Sequence, residues 1–286
     1  MDVRNGSVRI NVVVEGPTGA PTVVLLHGIT QSTATWSWFV ERLTPRYRVV
    51  RVDARGHGGS DRAPGGYTYL AGYVPDAIAV LEHLDCGPCL LVGHSLGGGT
   101  SAAVAQQRPD LVTAMVLEDP PLAPPQARVG GSLMTTFAQV RASLPRLQAS
   151  GIPHGKLVEV LTASPSVRGT TLGAELHPDA IDAMATGMLQ LDPTVLDPVI
   201  DGTMIPAFDP FLPVPVPALI VAADPISPDC VARPDDLNRV RASSRLVQVE
   251  TLRGATHLIH DERANRDRFA EVTLAFLAAH AGGDQR

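Results

Sequence analysis

An α/β fold with a mostly parallel, doubly wound sheet and a helical cap is the class this sequence predicts, on three observations. Short apolar runs alternate with stretches of helical spacing along most of the chain. A Gly-x-Ser-x-Gly segment, Gly93-His94-Ser95-Leu96-Gly97, sits between one such run and one such stretch. The alternation breaks after Asp119 in a proline-rich stretch and resumes at Ala218. Strand–helix alternation calls for parallel strands, because each crossover must be long enough to hold a helix on one face of the sheet.

The elements follow in order. Residues 8–15 alternate weakly and read as an opening strand, closed by the turn signal Gly16-Pro17-Thr18-Gly19. Strand and helix then succeed each other as 23–26, 38–43, 49–52, 74–84, 90–92, 98–107 and 112–117. Pro120-Pro121-Leu122-Ala123-Pro124-Pro125 opens a segment that Pro206, Pro210, Pro213, Pro215 and Pro217 close, with helical spacing at 133–147 and 180–189. The predicted division is a core of residues 1–119 and 217–286, with 120–216 as a helical cap folded over the active-site face. The core resumes with a strand at 218–222, a helix near 234–241, a strand at 246–252 and a last helix at 266–280. No internal repeat or low-complexity segment appears.

A chain of 286 residues can bury one sizeable α/β domain with an insertion, or form two small domains. Its 23 basic and 29 acidic residues leave a net charge of −6, and no basic run offers a nucleic-acid or membrane surface. The start, Met1-Asp2-Val3-Arg4-Asn5-Gly6-Ser7, lacks the basic region and apolar core of a signal peptide. No apolar run approaches a membrane span. The expectation is a soluble cytoplasmic protein, with a homodimer as one option for its assembly.

Cys86-Gly87-Pro88-Cys89 has the four residues of a thioredoxin active site. The redox motif places its first cysteine at a helix N-terminus, where the dipole lowers the thiol pKa. Here the pair follows a helix and leads into a strand, so a turn with incidental thiols is the better reading. Cys230 has no sequence neighbour that would make it a ligand or nucleophile.

Gly-x-Ser-x-Gly marks a nucleophile elbow only where a buried strand turns sharply into a helix. Leu90-Leu91-Val92 before it and the small-residue stretch 98–107 after it supply that setting. The flanking glycines permit the strained turn, which lifts Ser95 Oγ clear of the sheet edge. The following helix then aims its N-terminus at a developing oxyanion.

At this point the chain resembles the α/β-hydrolase superfamily, with the cap inserted after the sixth core strand. The apolar run Val23-Val24-Leu25-Leu26 ends in His27-Gly28-Ile29-Thr30, similar to the family's oxyanion loop. The resemblance implies that the N–H groups of Ile29 and Leu96 form the oxyanion hole. Asp53-Ala54-Arg55-Gly56-His57-Gly58-Gly59-Ser60 is similar to the loop after the family's next strand, where Asp53, Arg55 and Asp61 would brace loops. Gly254-Ala255-Thr256-His257 falls where the family keeps its catalytic histidine. His27, His57 and His94 lie in loop motifs whose histidines hydrogen-bond the loops together. His154, His177 and His280 read as exposed, and His83 and His260 as helical or loop surface. Gly28 and Trp36 are taken as substrate contacts, although the main task of Trp36 and Trp38 is to pack the first helix.

The acid is the open question. Most members of the family carry it after the strand written here Ala218-Leu219-Ile220-Val221-Ala222, in a Gly-x-x-Asp stretch. Laid on that pattern without a gap, this chain has Ile226 where the acid belongs, Asp224 two residues early and Ala223 for the usual glycine. The family's other placement is the end of the strand after the nucleophile helix, as in zearalenone-type lactonases, and Asp119 lies there. Asp119 is favoured, Asp224 is the alternative, and Glu118 is a distant third because it faces the other way if the strand continues.

The resemblance thus implies a serine hydrolase of an apolar carboxylic ester or lactone, acting through Ser95, His257 and Asp119 by an acyl-enzyme route. No His/Cys/Asp cluster has metal-ligand spacing and no glycine-rich loop carries a phosphate-binding lysine, so neither metal nor cofactor is expected. The partner expected is a small apolar molecule. A C–C bond hydrolase or a cofactor-free haloperoxidase would use the same triad. A non-catalytic ligand receptor is the rival from another class.

Overall fold

The computed structural model describes residues 1–122, 132–205 and 207–282. One eight-stranded sheet runs in the order β1-β2-β4-β3-β5-β6-β7-β8. Its strands are β1 (Asp2–Asn5), β2 (Val8–Glu15), β3 (Thr22–Leu26), β4 (Arg48–Val52), β5 (Cys89–His94), β6 (Val112–Glu118), β7 (Ala218–Ala222) and β8 (Val247–Thr251). β1 pairs antiparallel with β2 and β2 antiparallel with β4, while the remaining pairs are parallel. β1 is an addition to the strands expected from sequence. It is joined to β2 through Gly6 at φ 59, a turn conformation glycine adopts without cost.

Side chains alternate across the pleat, and the two faces build separate cores. Val24, Leu26, Val52, Leu91 and Met115 pack against α2 (Val74–Leu84), α3 (Leu96–Gln107) and α9 (Pro234–Ser243). Val23, Leu25, Val49, Val92 and Val116 face α1 (Ser37–Leu43) and α10 (Arg266–His280). Phe39, Leu43, Phe269 and Leu277 are fully buried there. Burying each is worth about 1.5–3 kcal/mol relative to exposure.

Between β6 and β7 lie α4 (Ser132–Ala149), α5 (His154–Ala163), α6 (Leu172–Glu175), α7 (Pro178–Gln190) and α8 (Asp197–Ile200). Leu157, Leu161, Leu176, Ile181 and Ala185 give this insert a small core of its own. It is tied down on both flanks. Asp192 donates its N–H to the Gly56 carbonyl at 2.8 Å and accepts Tyr67 Oη–H at 2.7 Å. On the other side Arg266 grips Asp179 at 2.8 and 2.9 Å, and His177 N–H reaches the Asp261 carbonyl at 3.0 Å. The insert is therefore held against the loops after β4 and β8 and the start of α10.

The strand order reverses at β3, because the chain leaves it for β4 on one side and reaches β5 on the other. Loops that diverge at such a switch point leave a crevice at the carboxyl edge, where open α/β sheets place their ligands. The loop after β3 and the elbow after β5 flank that crevice.

Candidate active site

Ser95 joins β5 to α3 at φ 50 and ψ −111, the strained turn that the Gly-x-Ser-x-Gly pattern anticipates. The glycines are sterically required. A Cβ at Gly93 would strike the Gly97 carbonyl, and one at Gly97 would strike the Leu26 carbonyl. Gly97 N–H donates to the His27 carbonyl at 3.1 Å, joining the elbow to the loop after β3. Ser95 keeps 9% of its surface exposed.

His257, in the loop after β8, lies with Nε2 2.9 Å from Ser95 Oγ and Nδ1 2.6 Å from Asp119 Oδ2. In the neutral ring Nδ1–H donates to Asp119 and Nε2 accepts from the serine. Asp119 directly follows β6 at φ 38, with no exposed surface. Its Oδ2 also accepts Val231 N–H at 2.8 Å, and its Oδ1 accepts Ala232 N–H at 3.0 Å and Ala223 N–H at 3.4 Å. The loop after β7 thus hands backbone donors to the carboxylate at the end of β6. Asp224 turns elsewhere, accepting N–H groups from Gly254 at 2.7 Å and Ile226 at 3.0 Å. Those two bonds hold its carboxyl below the ordinary range and shape the loop that carries His257. Asp119, not Asp224, is the carboxylate at the ring.

Burial opposes a charge on His257, but the hydrogen bond and charge of Asp119, with Asp229 and Glu118 adding, raise it above its ordinary value of 6.5. Only the neutral ring can take a proton from Ser95. Activity dependent on this base is therefore expected to fall about tenfold per pH unit below a midpoint above 6.5. A profile of kcat/KM against pH checks this, and an acid limb centred below 6.5 would contradict it.

Ile29 N–H has no hydrogen-bond partner among the described residues. Leu96 opens α3, so its N–H has no partner within the helix. Gly28 is committed inside the loop: its N–H donates to Gln31 Oε1 at 2.9 Å, and a Cβ there would collide with His94. Trp36, expected at the substrate, has no exposed surface and stacks on His260 at 4.3 Å between ring centres, in the core shared by α1 and α10. It packs, and it does not line the site. His260 is the second correction: read as surface, it is fully buried and held by Glu118.

Two of the three loop histidines connect loops, whereas His57 bonds only within its own, Nδ1 donating to the Arg55 carbonyl at 2.9 Å. His27 Nδ1 donates to the Gly28 carbonyl and Nε2 accepts Ala54 N–H, at 2.8 and 3.0 Å. His94 spans Gln31 Oε1 and the His257 carbonyl at 2.8 and 2.9 Å. Asp53 accepts from Thr33 N–H and Gly59 N–H, Arg55 forms a two-point pair with Asp76, and Asp61 binds Arg9.

Among the described residues no group of three or more His, Cys, Asp and Glu could hold a metal ion, and no helix is long and apolar enough to cross a membrane. Cys86 and Cys89 are free thiols with sulfurs 3.3 Å apart, at the amino end of β5 and so at the opposite end of that strand from Ser95. Burial raises the Cys89 thiol pKa, and Cys86, the first cysteine of the pair, follows the C-terminus of α2 and has no helix N-terminus to lower its own. Replacing both by serine is expected to change turnover by no more than a few-fold. Insulin reduction by the parent that vanishes in the double variant would restore a redox role.

The geometry can be set beside known proteins. The chain matches the model of the Alpha/beta hydrolase family over residues 23–272. It is 37% identical over 114 residues to the 2-(acetamidomethylene)succinate hydrolase of Mesorhizobium japonicum, covering 40% of each chain. It is 32% identical over 155 residues to the sn-1-specific diacylglycerol lipase ABHD11 of Mus musculus, covering 52% of this chain and 50% of that one. The matches thus span about two fifths to one half of the length of these curated relatives. The crystal structure of the enol-lactonase from Burkholderia xenovorans LB400 shares the fold with a TM-score of 0.71 at 19% identity, over 97% of this chain and 100% of that one. With a family match that runs from β3 into α10, and the sheet order and elbow described above, the chain belongs to the alpha/beta hydrolase family.

Proposed function

We propose that this protein is a serine hydrolase that cleaves a carboxylic ester or lactone of an apolar substrate through an acyl-enzyme. The observation that carries this reading is the unbroken hydrogen-bonded chain Ser95–His257–Asp119. Serine is a poor nucleophile until a base takes its proton as it attacks. His257 Nε2 takes that proton while Ser95 Oγ bonds to the carbonyl carbon. Asp119 fixes the tautomer that leaves Nε2 free and stabilises the imidazolium that forms. The N–H groups of Ile29 and Leu96 bind the tetrahedral oxyanion, each worth about 3 kcal/mol. The imidazolium returns its proton to the leaving alcohol, and the ring then activates water to release the acid. Every group this scheme requires is a side chain or a backbone amide.

The apolar preference rests on the apolar cluster to which Ile29 and Leu96 belong. Phe137, Leu191 and Val195 of the insert belong to the same apolar cluster, with Met134 and Met188 packed against it. Lactones enter the scheme because Asp119 directly follows β6, a placement that resembles zearalenone-type lactonases, and because an enol-lactonase shares the fold. A panel of p-nitrophenyl esters and lactones, with fluorophosphonate labelling located by peptide mass, tests the reading. Hydrolysis with the label on Ser95 supports it. Failure of both would favour a ligand receptor on this fold.

A further inference from the structure

Behind the Ser95–His257–Asp119 line lies a second carboxylate–imidazole pair that the scheme does not use. Glu118 precedes Asp119, and strand alternation turns it to the other face of the sheet. Its Oε1 accepts His260 N–H at 2.9 Å and its Oε2 lies 2.7 Å from His260 Nδ1. Neither residue has exposed surface. His260 Nε2 lies 2.9 Å from Thr35 Oγ1. Gln31 Nε2 reaches Thr35 Oγ1 at 3.2 Å and Asp261 Oδ2 at 3.1 Å. Gln31 Oε1 accepts Gly28 N–H, next to Ile29, and contacts His94, whose other nitrogen faces the His257 carbonyl. The network therefore touches all four segments that carry the site: the loop after β3, the elbow, the end of β6 and the loop after β8.

We propose that the Glu118–His260 pair, linked through Thr35 and Gln31 to the loop after β3, is a positioning device that holds the His257 ring and the Ile29 amide in register. The proposal rests on the serine-hydrolase reading. Carboxylates on the last residue of β6 and the residue after it grip two imidazoles three residues apart, so the loop after β8 is pinned to the strand end at two points. The second point fixes the chain three residues beyond the His257 ring and adds to the hold of His94 on the His257 carbonyl. Stability alone is a weak reason for the pair, because a buried ion pair often gains nothing over well-packed apolar side chains. Misplacement of reacting groups by about 1 Å can cost about 100-fold in rate, which gives such a device its value.

The groups facing His257 are Glu118 on β6, Asp119 directly after it, Asp229 in the loop after β7 and His94 on β5. Those facing His260 are Glu118, Asp261, His94 and Arg266 of α10. Removing the Glu118 charge takes away one of the charges that favour a protonated His257, so the acid limb should move as well.

The test is Glu118→Gln in the full chain, with kcat expressed per active site titrated by a fluorophosphonate. Turnover per titrated site is expected to fall roughly 10- to 100-fold with KM within about twofold, and the acid limb to move to lower pH. Thr35→Val, which removes one hydroxyl link, is expected to lower kcat by a smaller factor with KM unchanged, and it carries the test if Glu118→Gln does not fold. Wild-type kcat per titrated site in the folded variants, with an unmoved acid limb, would overturn the proposal, since a structural role alone lowers only the number of active molecules. A wild-type chain inert to fluorophosphonate and to all esters and lactones would instead refute the hydrolase reading, and this proposal with it.

Discussion

Ser95→Ala is expected to lower turnover by about 10⁶-fold, because the members of a Ser–His–Asp set act as a unit and the loss of the nucleophile removes their joint effect. The fold should survive. Alanine keeps the Cβ that already occupies the elbow at φ 50, so no new strain arises. The side chain gives up its hydrogen bond to His257 Nε2, a net loss of about 1 kcal/mol. Circular dichroism and a thermal melt check the fold, and hydrolysis with fluorophosphonate labelling checks the chemistry. A folded Ser95→Ala protein with near-native turnover would remove Ser95 from the mechanism. Residual hydrolysis well below wild type but above the uncatalysed rate is compatible with it, since the oxyanion donors remain in place.

The parts of this arrangement that could be read from sequence are those written in local pattern. Apolar runs at strand length reported the sheet, because parallel strands buried on both faces need nearly continuous apolar side chains, as in Thr22–Leu26. The elbow was legible because its turn demands small residues at Gly93 and Gly97, and only a glycine clears the carbonyls they meet. His257 was legible from its place after the last strand. What stayed hidden depends on partners distant in sequence. His260 lies beside Asp261, Glu262 and Arg263, and a polar run reads as surface unless its partner Glu118, 142 residues away, is known. Trp36 sits near the oxyanion loop in sequence, but the helical turn that follows directs it to the α1–α10 core. α5 went unread because its half-exposed pattern buries only Leu157 and Leu161 against the rest of the insert. The three N–H groups around Asp119 come from Ala223, Val231 and Ala232, and backbone donors carry no residue signature at all. In the sequence the choice between Asp119 and Asp224 rests on register and on the resemblance in acid placement, whereas the hydrogen bond to His257 selects Asp119.

That geometry sets the second large expectation. Asp119→Asn is expected to lower turnover by about 10⁴-fold, while Asp224→Asn stays within several-fold of the parent. An amide at position 119 has one oxygen where the carboxylate has two, and each carboxylate oxygen now accepts backbone N–H groups. If the amide nitrogen takes the Oδ2 position, it donates to His257 Nδ1. The ring proton then moves to Nε2, which can no longer accept from Ser95. If it takes the Oδ1 position, the tautomer is kept but two donors face the N–H groups of Ala232 and Ala223, and leaving such groups unsatisfied costs about 1–3 kcal/mol. The first orientation also faces Val231 N–H, so the substitution carries a stability loss either way, and a melt must accompany the kinetics. Asp224 stands apart from the ring, and asparagine there can keep one of the two N–H bonds from Gly254 and Ile226. The pH profile adds an independent reading. Because the Asp119 bond and charge lead the effects that raise His257, whatever activity survives in Asp119→Asn should have its acid limb at lower pH than the parent. A 10⁴-fold loss in Asp224→Asn with Asp119→Asn nearly intact would make the loop after β7 the source of the acid and the contact at the end of β6 a brace.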